Sequence, residues 1–150
     1  AWTAPRESPG FMQMLGSQFL AHPPIQPYRV EPTAPDHDLV RGIGAFDADD
    51  ELYLCEWHGE HDCLMHTHYR GDAPGFVDLH WDDDRRHPVL YLRRHGAGEI
   101  LYCTLGHCRG QYDMQPMIAE YPQVERGSWK LPQFHEILRR GIRWGARIPS

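Results

Sequence analysis

The sequence predicts an α/β domain, and three observations lead to that class. Two segments, one near each end of the chain, carry apolar residues at helical spacing. Short apolar runs rich in β-formers lie between them, and residues 100–105 have the pattern of a strand buried on both faces. A polar loop begins at Gly106, directly after that run. Open α/β sheets place ligand sites at the carboxyl ends of their strands, so we expect the chemistry in this loop.

The size and charge of the chain exclude several classes of function. Its 150 residues are enough for one domain with a real core. The 21 acidic residues outnumber 15 Lys and Arg, and a net charge of −6 argues against non-specific nucleic-acid binding. No apolar run approaches the roughly 20 residues of a membrane span, and no signal-peptide pattern is present. The four cysteines form no CxxC pair, so we expect reduced thiols and a cytoplasmic protein.

The amino-terminal third is predicted to hold a helix, a strand and a turn. Ser8 is a suitable N-cap before a proline, and the apolar spacing predicts a helix over 9–21. Pro23-Pro24 cannot continue it. Residues 26–31 form a short β-like run between prolines, which predicts a strand near a sheet edge. A turn or short helix is expected over 36–40.

The middle of the chain is predicted to be mostly strand. Residues 52–57 and 63–69 are β-like runs whose five-residue connection indicates a hairpin. Residues 70–87 have little periodicity and are predicted to be a long loop. A glycine-containing turn separates residues 89–92 from residues 100–105, and this pattern predicts a second hairpin.

The last helix is predicted over 132–144, with Gly145 as its C-cap. Its buried stripe is predicted to be Leu131, Phe134, Leu138 and Ile142, flanked by Ile137. Its arginines are interpreted as a solvated face: Arg139, Arg140, Arg143 and Arg147.

Two groups of residues are candidates for acid/base chemistry. His107 lies in the loop after residues 100–105, and imidazole titrates near neutral pH. The run Asp49-Asp50-Glu51 precedes an apolar segment and can supply a partly buried carboxylate. If Glu51 and Tyr53 alternate along a strand, they share one face and line one pocket. Each group also has an ordinary structural explanation. His107 can be a histidine that bonds to the backbone at a strand end, and the acidic run can be a turn with solvated carboxylates.

A third group suggests a metal. On a strand, His66 and His68 share a face and can chelate a divalent ion if a third ligand converges. Glu56, His58 and Cys63 are the candidates for that ligand. No zinc-finger or HExxH spacing, G-x-S-x-G elbow, GxGxxG motif or P-loop is present.

Several short motifs occur in order along the chain: DELY at 50–53, PVLY at 88–91, GAGEILY at 96–102, TLGH at 104–107 and GIRW at 141–144. The segments LAHP at 20–23 and PDH at 35–37 add to them. With these motifs the chain resembles the trehalose-utilization (ThuA-like) family over nearly its whole length.

The resemblance implies a class I glutamine amidotransferase-like fold, which is a flavodoxin-like three-layer sandwich with a mixed β-sheet flanked by helices. Family domains have further strands and helices before the point that matches Ala1. Residues 1–150 are therefore expected to be the carboxyl-terminal portion of a ThuA-like domain, about three-fifths of it, without the amino-terminal strands.

The resemblance also implies roles for individual residues. His107 matches the family's histidine after the strand, and Glu51 and Tyr53 match its acidic-aromatic motif. His22, in the LAHP segment, is expected to contact substrate. The part of the loop where family members differ supplies further substrate contacts: Arg109, Gln111, Tyr112 and Asp113. No nucleophilic cysteine of the glutaminase type is identifiable.

Family members are linked to the catabolism of trehalose and related disaccharides, alongside a dehydrogenase that makes 3-keto sugars. We therefore expect a lyase or hydrolase that acts on a keto-sugar or disaccharide, with His107 and Glu51 as acid and base. The alternatives are a non-catalytic sugar- or partner-binding domain and a metal-dependent hydrolase that uses His66 and His68. No cofactor is expected apart from that metal. The sequence leaves a homo-oligomer open and predicts neither a nucleic-acid nor a membrane partner.

Overall fold

The computed structural model describes residues 8–82, 84–110 and 124–148. Within these ranges the chain forms two α-helices, α1 (Pro9–Leu15) and α2 (Pro132–Gly145), and a 3₁₀ turn at Gly127–Lys130. The strands are β1 (Ser17–Ala21), β2 (Gln26–Pro32), β3 (Phe46–Asp50), β4 (Leu54–Trp57), β5 (Asp62–His68), β6 (Gly71–Asp72), β7 (His80–Trp81), β8 (Arg86–His95) and β9 (Gly98–Cys103).

The main sheet has five strands in the order β3-β2-β5-β8-β9. β1 pairs with β4 in a separate ladder, and β6 pairs with β7. The α/β class is confirmed, but these ladders are antiparallel, whereas a mixed sheet was expected. The physical reason is that none of the described connections between paired strands is a helix, which a parallel crossover usually requires. The flavodoxin-like arrangement stays a prediction.

The first helix is shorter than predicted. α1 ends at Leu15 because Gly16 adopts a left-handed conformation with φ of 73° and its amide donates to Met12 O. The positive φ favours glycine, and a Cβ at Gly16 would lie 2.5 Å from Cδ of Arg93, whose side chain would have to move. The residues that follow form β1, which pairs with β4.

The two predicted hairpins have opposite outcomes. β8 and β9 form the predicted hairpin, with Leu90 opposite Cys103 and His95 opposite Gly98. β4 and β5 both exist but do not pair, because β4 pairs with β1 and β5 lies between β2 and β8. The predicted long loop contains the short β6–β7 ladder.

Two strands occupy positions other than those expected. β9 is the edge strand of the main sheet and its residues from Ile100 to Cys103 are half-buried, so it is not covered on both faces. β2 lies inside the strand order, but it pairs with β3 over 26–30 and with β5 only at Glu31 and Pro32. Each of its segments therefore has one partner, which accommodates its prolines.

Helix α2 packs on the sheet through a stripe that is shifted from the predicted one. Phe134 and Ile137 are its buried residues, whereas Ile142 is 70% exposed. Leu138 and Trp144 pack against the edge of the core. The helix ends at Gly145, and Ala146 is the C-cap. No described helix is long and apolar enough to cross a membrane.

Candidate functional site

The buried carboxylate of Asp50 attaches the loop after β9 to the end of β3. Asp50 is 1% exposed. Its Oδ2 accepts the Gly106 amide at 2.8 Å, and its Oδ1 accepts the His107 amide at 3.2 Å. Oδ1 also accepts the amide of Glu51 at 2.8 Å. Bonds from backbone N–H groups to an ionised acceptor are stronger than neutral ones, so Asp50 holds both segments in one geometry.

The same loop is held from its other side by the 3₁₀ turn. Trp129 donates from Nε1 to Gly106 O at 2.9 Å. At Gly127, where φ is 45°, a Cβ would lie 2.8 Å from Asp49 O and 3.2 Å from His107 O. The close approach of these two carbonyls explains the need for glycine there.

This double attachment brings His107 to Glu51. Nδ1 of His107 lies 3.2 Å from Oε2 of Glu51, and the side chains are 14% and 9% exposed. Burial lowers the pKa of His107, and the Glu51 carboxylate partly offsets this by raising it. His107 is therefore neutral at pH 7. A neutral imidazole that carries its proton on Nδ1, the nitrogen nearest Glu51, has its lone pair on Nε2, where it can act as a base.

A second imidazole faces the same carboxylate. Nε2 of His22 lies 3.7 Å from Oε1 of Glu51. Nδ1 of His22 lies 2.9 Å from Pro23 O, an acceptor, so this nitrogen carries a proton. Glu51 thus stands between two histidines, one on each carboxylate oxygen. The arrangement places two imidazoles beside one carboxylate.

Aromatic rings line one side of His22. Phe19 contacts Tyr53 edge-on at 5.0 Å between ring centroids, and Phe76 contacts His22 at 4.8 Å. Phe19 and Phe76 also contact one another at 5.8 Å. Burial, with the Glu51 carboxylate adding to it, raises the pKa of Tyr53 well above its usual value. Tyr53 therefore remains a neutral phenol beside the acidic group.

The remaining predicted contacts are placed differently. Arg109 is 6% exposed, and its Nη2 and Nε bind Glu125 Oε2 at 2.6 and 2.9 Å. Its guanidinium thus stabilises the loop by pairing with Glu125, to which its backbone also bonds. Gln111, Tyr112 and Asp113 lie outside the described residues.

The histidine pair on β5 has protein partners in place of a third ligand. His66 and His68 share a face, as predicted, with ring centroids 5.1 Å apart. Nδ1 of His66 bonds Thr33 Oγ1 at 2.7 Å, and Nδ1 of His68 lies 3.2 Å from Asp84. Across the described part of the chain, no group of three or more His, Cys, Asp or Glu side chains has the arrangement of a metal site.

The expected third ligands lie elsewhere. Glu56 and His58 lie 3.9 Å apart at the end of β4, in the other ladder. Cys63 donates from its thiol to Met65 O. The metal-dependent alternative therefore has no third ligand among the described residues.

The thiols are free, as expected. Burial raises the pKa values of Cys55 and Cys103 to about 12. A thiol with so high a pKa is a poor nucleophile at neutral pH.

Asp50 is the residue whose role the sequence reasoning missed. The sequence places Asp50 in a run of acids that are either solvated or supply one partly buried carboxylate, and it favours Glu51 for that part. The signal was present, because Phe46, Ala48 and Asp50 alternate with exposed residues along β3 and so lie on its buried face. Recognition of β3 as a strand would have identified Asp50 as a buried carboxylate in need of donors.

Comparison with known proteins gives one family. The family model described as ThuA, trehalose utilisation, matches residues 1–120 of the 150. No curated protein matches the chain. No solved structure matches it either.

Proposed function

The chain belongs to the ThuA (trehalose utilisation) family, and on this premise we propose that it acts on a keto-sugar derived from a trehalose-type disaccharide by acid/base chemistry. His107 is the base and Glu51 its partner. The flavodoxin-like arrangement of the sheet is part of the same proposal. So is a functional link to a sugar dehydrogenase, because that class of enzyme makes the keto-sugar that would be the substrate.

One observation carries the proposal: the contact of 3.2 Å between Nδ1 of His107 and Glu51, on a loop held by Asp50. A carboxylate beside Nδ1 favours the imidazole tautomer that is protonated there and stabilises the imidazolium that forms after proton uptake. The lowered pKa of His107 supports the role of base, since the neutral form is available at pH 7.

The step is an elimination next to the ketone. Nε2 of His107 removes the proton from the carbon between the ketone and the glycosidic carbon. The electron pair of that C–H bond forms a C=C bond as the glycosidic C–O bond breaks. The imidazolium then returns its proton to the departing oxygen, which leaves one free sugar and one unsaturated keto-sugar. The Glu51 carboxylate neutralises the imidazolium during the step.

The aromatic side of the site supports a sugar as substrate. Phe19, Phe76 and Tyr53 present ring edges and faces beside His22 and Glu51. Sugar rings have apolar C–H faces and polar rims, and sites that combine apolar walls with a few polar groups bind such molecules. Tyr53 and His22 are the candidate donors to substrate hydroxyls.

The test is turnover of a 3-keto disaccharide by the intact protein. We expect His107→Ala to lower kcat/KM roughly 10²- to 10⁴-fold, which is the usual contribution of a general base. In the wild type, kcat/KM should fall only at a pH below the ordinary titration range of histidine, because protonation removes the base and burial lowers the pKa of His107.

His95→Ala is the matched control, since His95 is an exposed histidine at the end of β8. It should leave turnover unchanged. Near-wild-type activity of His107→Ala would overturn the assignment of the base. Calorimetric binding of the disaccharide without product after long incubation would instead favour a non-catalytic sugar-binding domain.

A further inference from the structure

A second concave site lies at the opposite end of α2 from His107. A cavity of about 630 Å³ opens between the turn at residues 35–42 and the last turns of α2. We call it the arginine groove, because five arginines line it: Arg41, Arg139, Arg140, Arg143 and Arg147. The residues on α2 and after it lie beyond the part of the chain that matches the family model.

Positive charge exceeds negative charge in the arginine groove. Two carboxylates pair with these arginines, Asp38 with Arg41 at 2.7 Å and Glu136 with both Arg139 and Arg140. Among the described residues, five guanidinium groups and two carboxylates therefore lie at the groove, in a protein whose net charge is −6. Such a local excess of cations attracts an anion of compact charge.

The backbone of the arginine groove is fixed before any ligand arrives. Arg140 donates from Nη1 to Arg41 O at 2.8 Å and to Asp38 O at 3.2 Å. These bonds join α2 to the turn and hold the two rims of the groove at a set distance. Preorganised guanidinium groups lose less entropy when they bind an anion.

Apolar side chains also line the arginine groove. Leu39, Trp144 and Ile148 line the same cavity as the arginines. A second cavity of about 570 Å³ adjoins it and shares Trp144 and Arg147. A volume of this size lined by both apolar and charged side chains suits a small amphipathic molecule.

Arg147 has a backbone conformation that favours glycine. It follows the C-cap of α2 and has φ of 55°, the left-handed region in which a side chain is strained. Among the described residues it is the one non-glycine with positive φ. The chain thus carries a cation, common to both cavities, at a position where glycine would be more stable.

We propose that the arginine groove binds a phosphate monoester of a sugar, with the phosphate on the arginines and the sugar ring over Trp144 and Leu39. Guanidinium groups match phosphate oxygens in bidentate geometry, which favours phosphate over a single carboxylate. Binding of the phosphate group is inferred from the charge and geometry of the groove. The identity of the rest of the ligand as a sugar rests on the proposed function, since sugar phosphates are common in sugar catabolism.

The test is calorimetric titration of the intact protein with glucose 6-phosphate, inorganic phosphate and glucose. We expect saturable binding of glucose 6-phosphate, weaker binding of inorganic phosphate and none of glucose. Arg147→Gln should weaken binding roughly tenfold, as expected for loss of one charge-assisted contact, without a change in Tm. Arg147→Gly should weaken binding equally but raise Tm, because it relieves the backbone strain.

Arg29→Gln is the control, because Arg29 is an exposed arginine on β2 that pairs with Asp47. It should change neither binding nor Tm. Absence of saturable binding up to about 10 mM, or equal binding by wild type and Arg147→Gln, would overturn the phosphate site. Equal affinity for phosphate and glucose 6-phosphate would overturn the place given to the sugar. These titrations need no turnover, so they fail or succeed separately from the proposed elimination.

Discussion

The His107 site and the arginine groove lie at opposite ends of α2 and hold their charges in opposite ways. At the first end, Phe134 packs under the loop of His107, and one buried carboxylate, Asp50, accepts three backbone amides. At the other end, about 15 Å along the helix axis at 1.5 Å per residue, exposed or half-buried arginines pair with exposed or half-buried carboxylates around Trp144.

The difference shows which charges determine structure in this protein. A buried acceptor bonded to amides cannot be replaced by water, so its removal leaves unpaired N–H groups in the interior. Exposed ion pairs exchange readily with water and contribute little to stability. The first site is therefore rigid and suited to positioning a base, whereas the second keeps cations that can change partners when an anion binds.

The largest effect is expected from Asp50→Asn. The side-chain NH₂ of the asparagine is a hydrogen-bond donor and would face backbone N–H groups, which are donors too. At least one of the three hydrogen bonds is therefore lost. We expect the free energy of unfolding to fall by about 3 kcal/mol, measured by urea denaturation. Asp47→Asn is the control on the same strand, since Asp47 is exposed. A loss no larger than that of the control would contradict the role of Asp50.

A smaller effect is expected from Gly106→Ala in the same loop. Gly106 has φ of 103°, and a Cβ there would lie 2.7 Å from Cζ of Phe134. Strain and overpacking together should cost about 2 kcal/mol. Gly10→Ala is the matched control: it lies in α1 with no atom within 4 Å of the new Cβ, and it should be neutral or stabilising by up to about 1 kcal/mol. If both substitutions had the same effect, the close packing at Gly106 would be disproved.

The smallest effect is expected in the arginine groove, from Glu136→Gln. Hydrogen bonds from Arg139 and Arg140 lower the pKa of Glu136 from 4.5 to about 2. The stability that the ionised carboxylate contributes is present above pH 4.5 and is lost as the pH falls through about 2. Thermal unfolding should show a small decrease in Tm at pH 7 that disappears at high salt or low pH. A large decrease in Tm that persists at high salt would contradict the difference drawn between the two sites, because it would show that Glu136 stabilises the fold as a buried carboxylate does.

Elements with strong local signals could be predicted from the sequence. The β8–β9 hairpin follows from apolar runs that flank a glycine turn, and α2 follows from its spacing between Pro132 and Gly145. The predicted stripe is wrong at Ile142, which is 70% exposed because the side of α2 that faces the sheet runs through Ile137, Gly141 and Trp144. Local periodicity shows that a helix has an apolar face but not which side of that face the sheet covers.

The sequence by itself determined the α/β class, the family motifs and the candidates His107 and Glu51, because residue type and period are local properties. Tertiary structure decided which strands pair, and it separated β4 from β5 although they are neighbours along the chain. It also decided that Asp50, 56 residues from Gly106, holds the loop of His107. The loop amides that bond to Asp50, those of Gly106 and His107, are distant in the sequence, so these hydrogen bonds cannot be predicted from residue type alone. They form only after folding has buried the carboxylate close to those amides, and their strength depends on that burial.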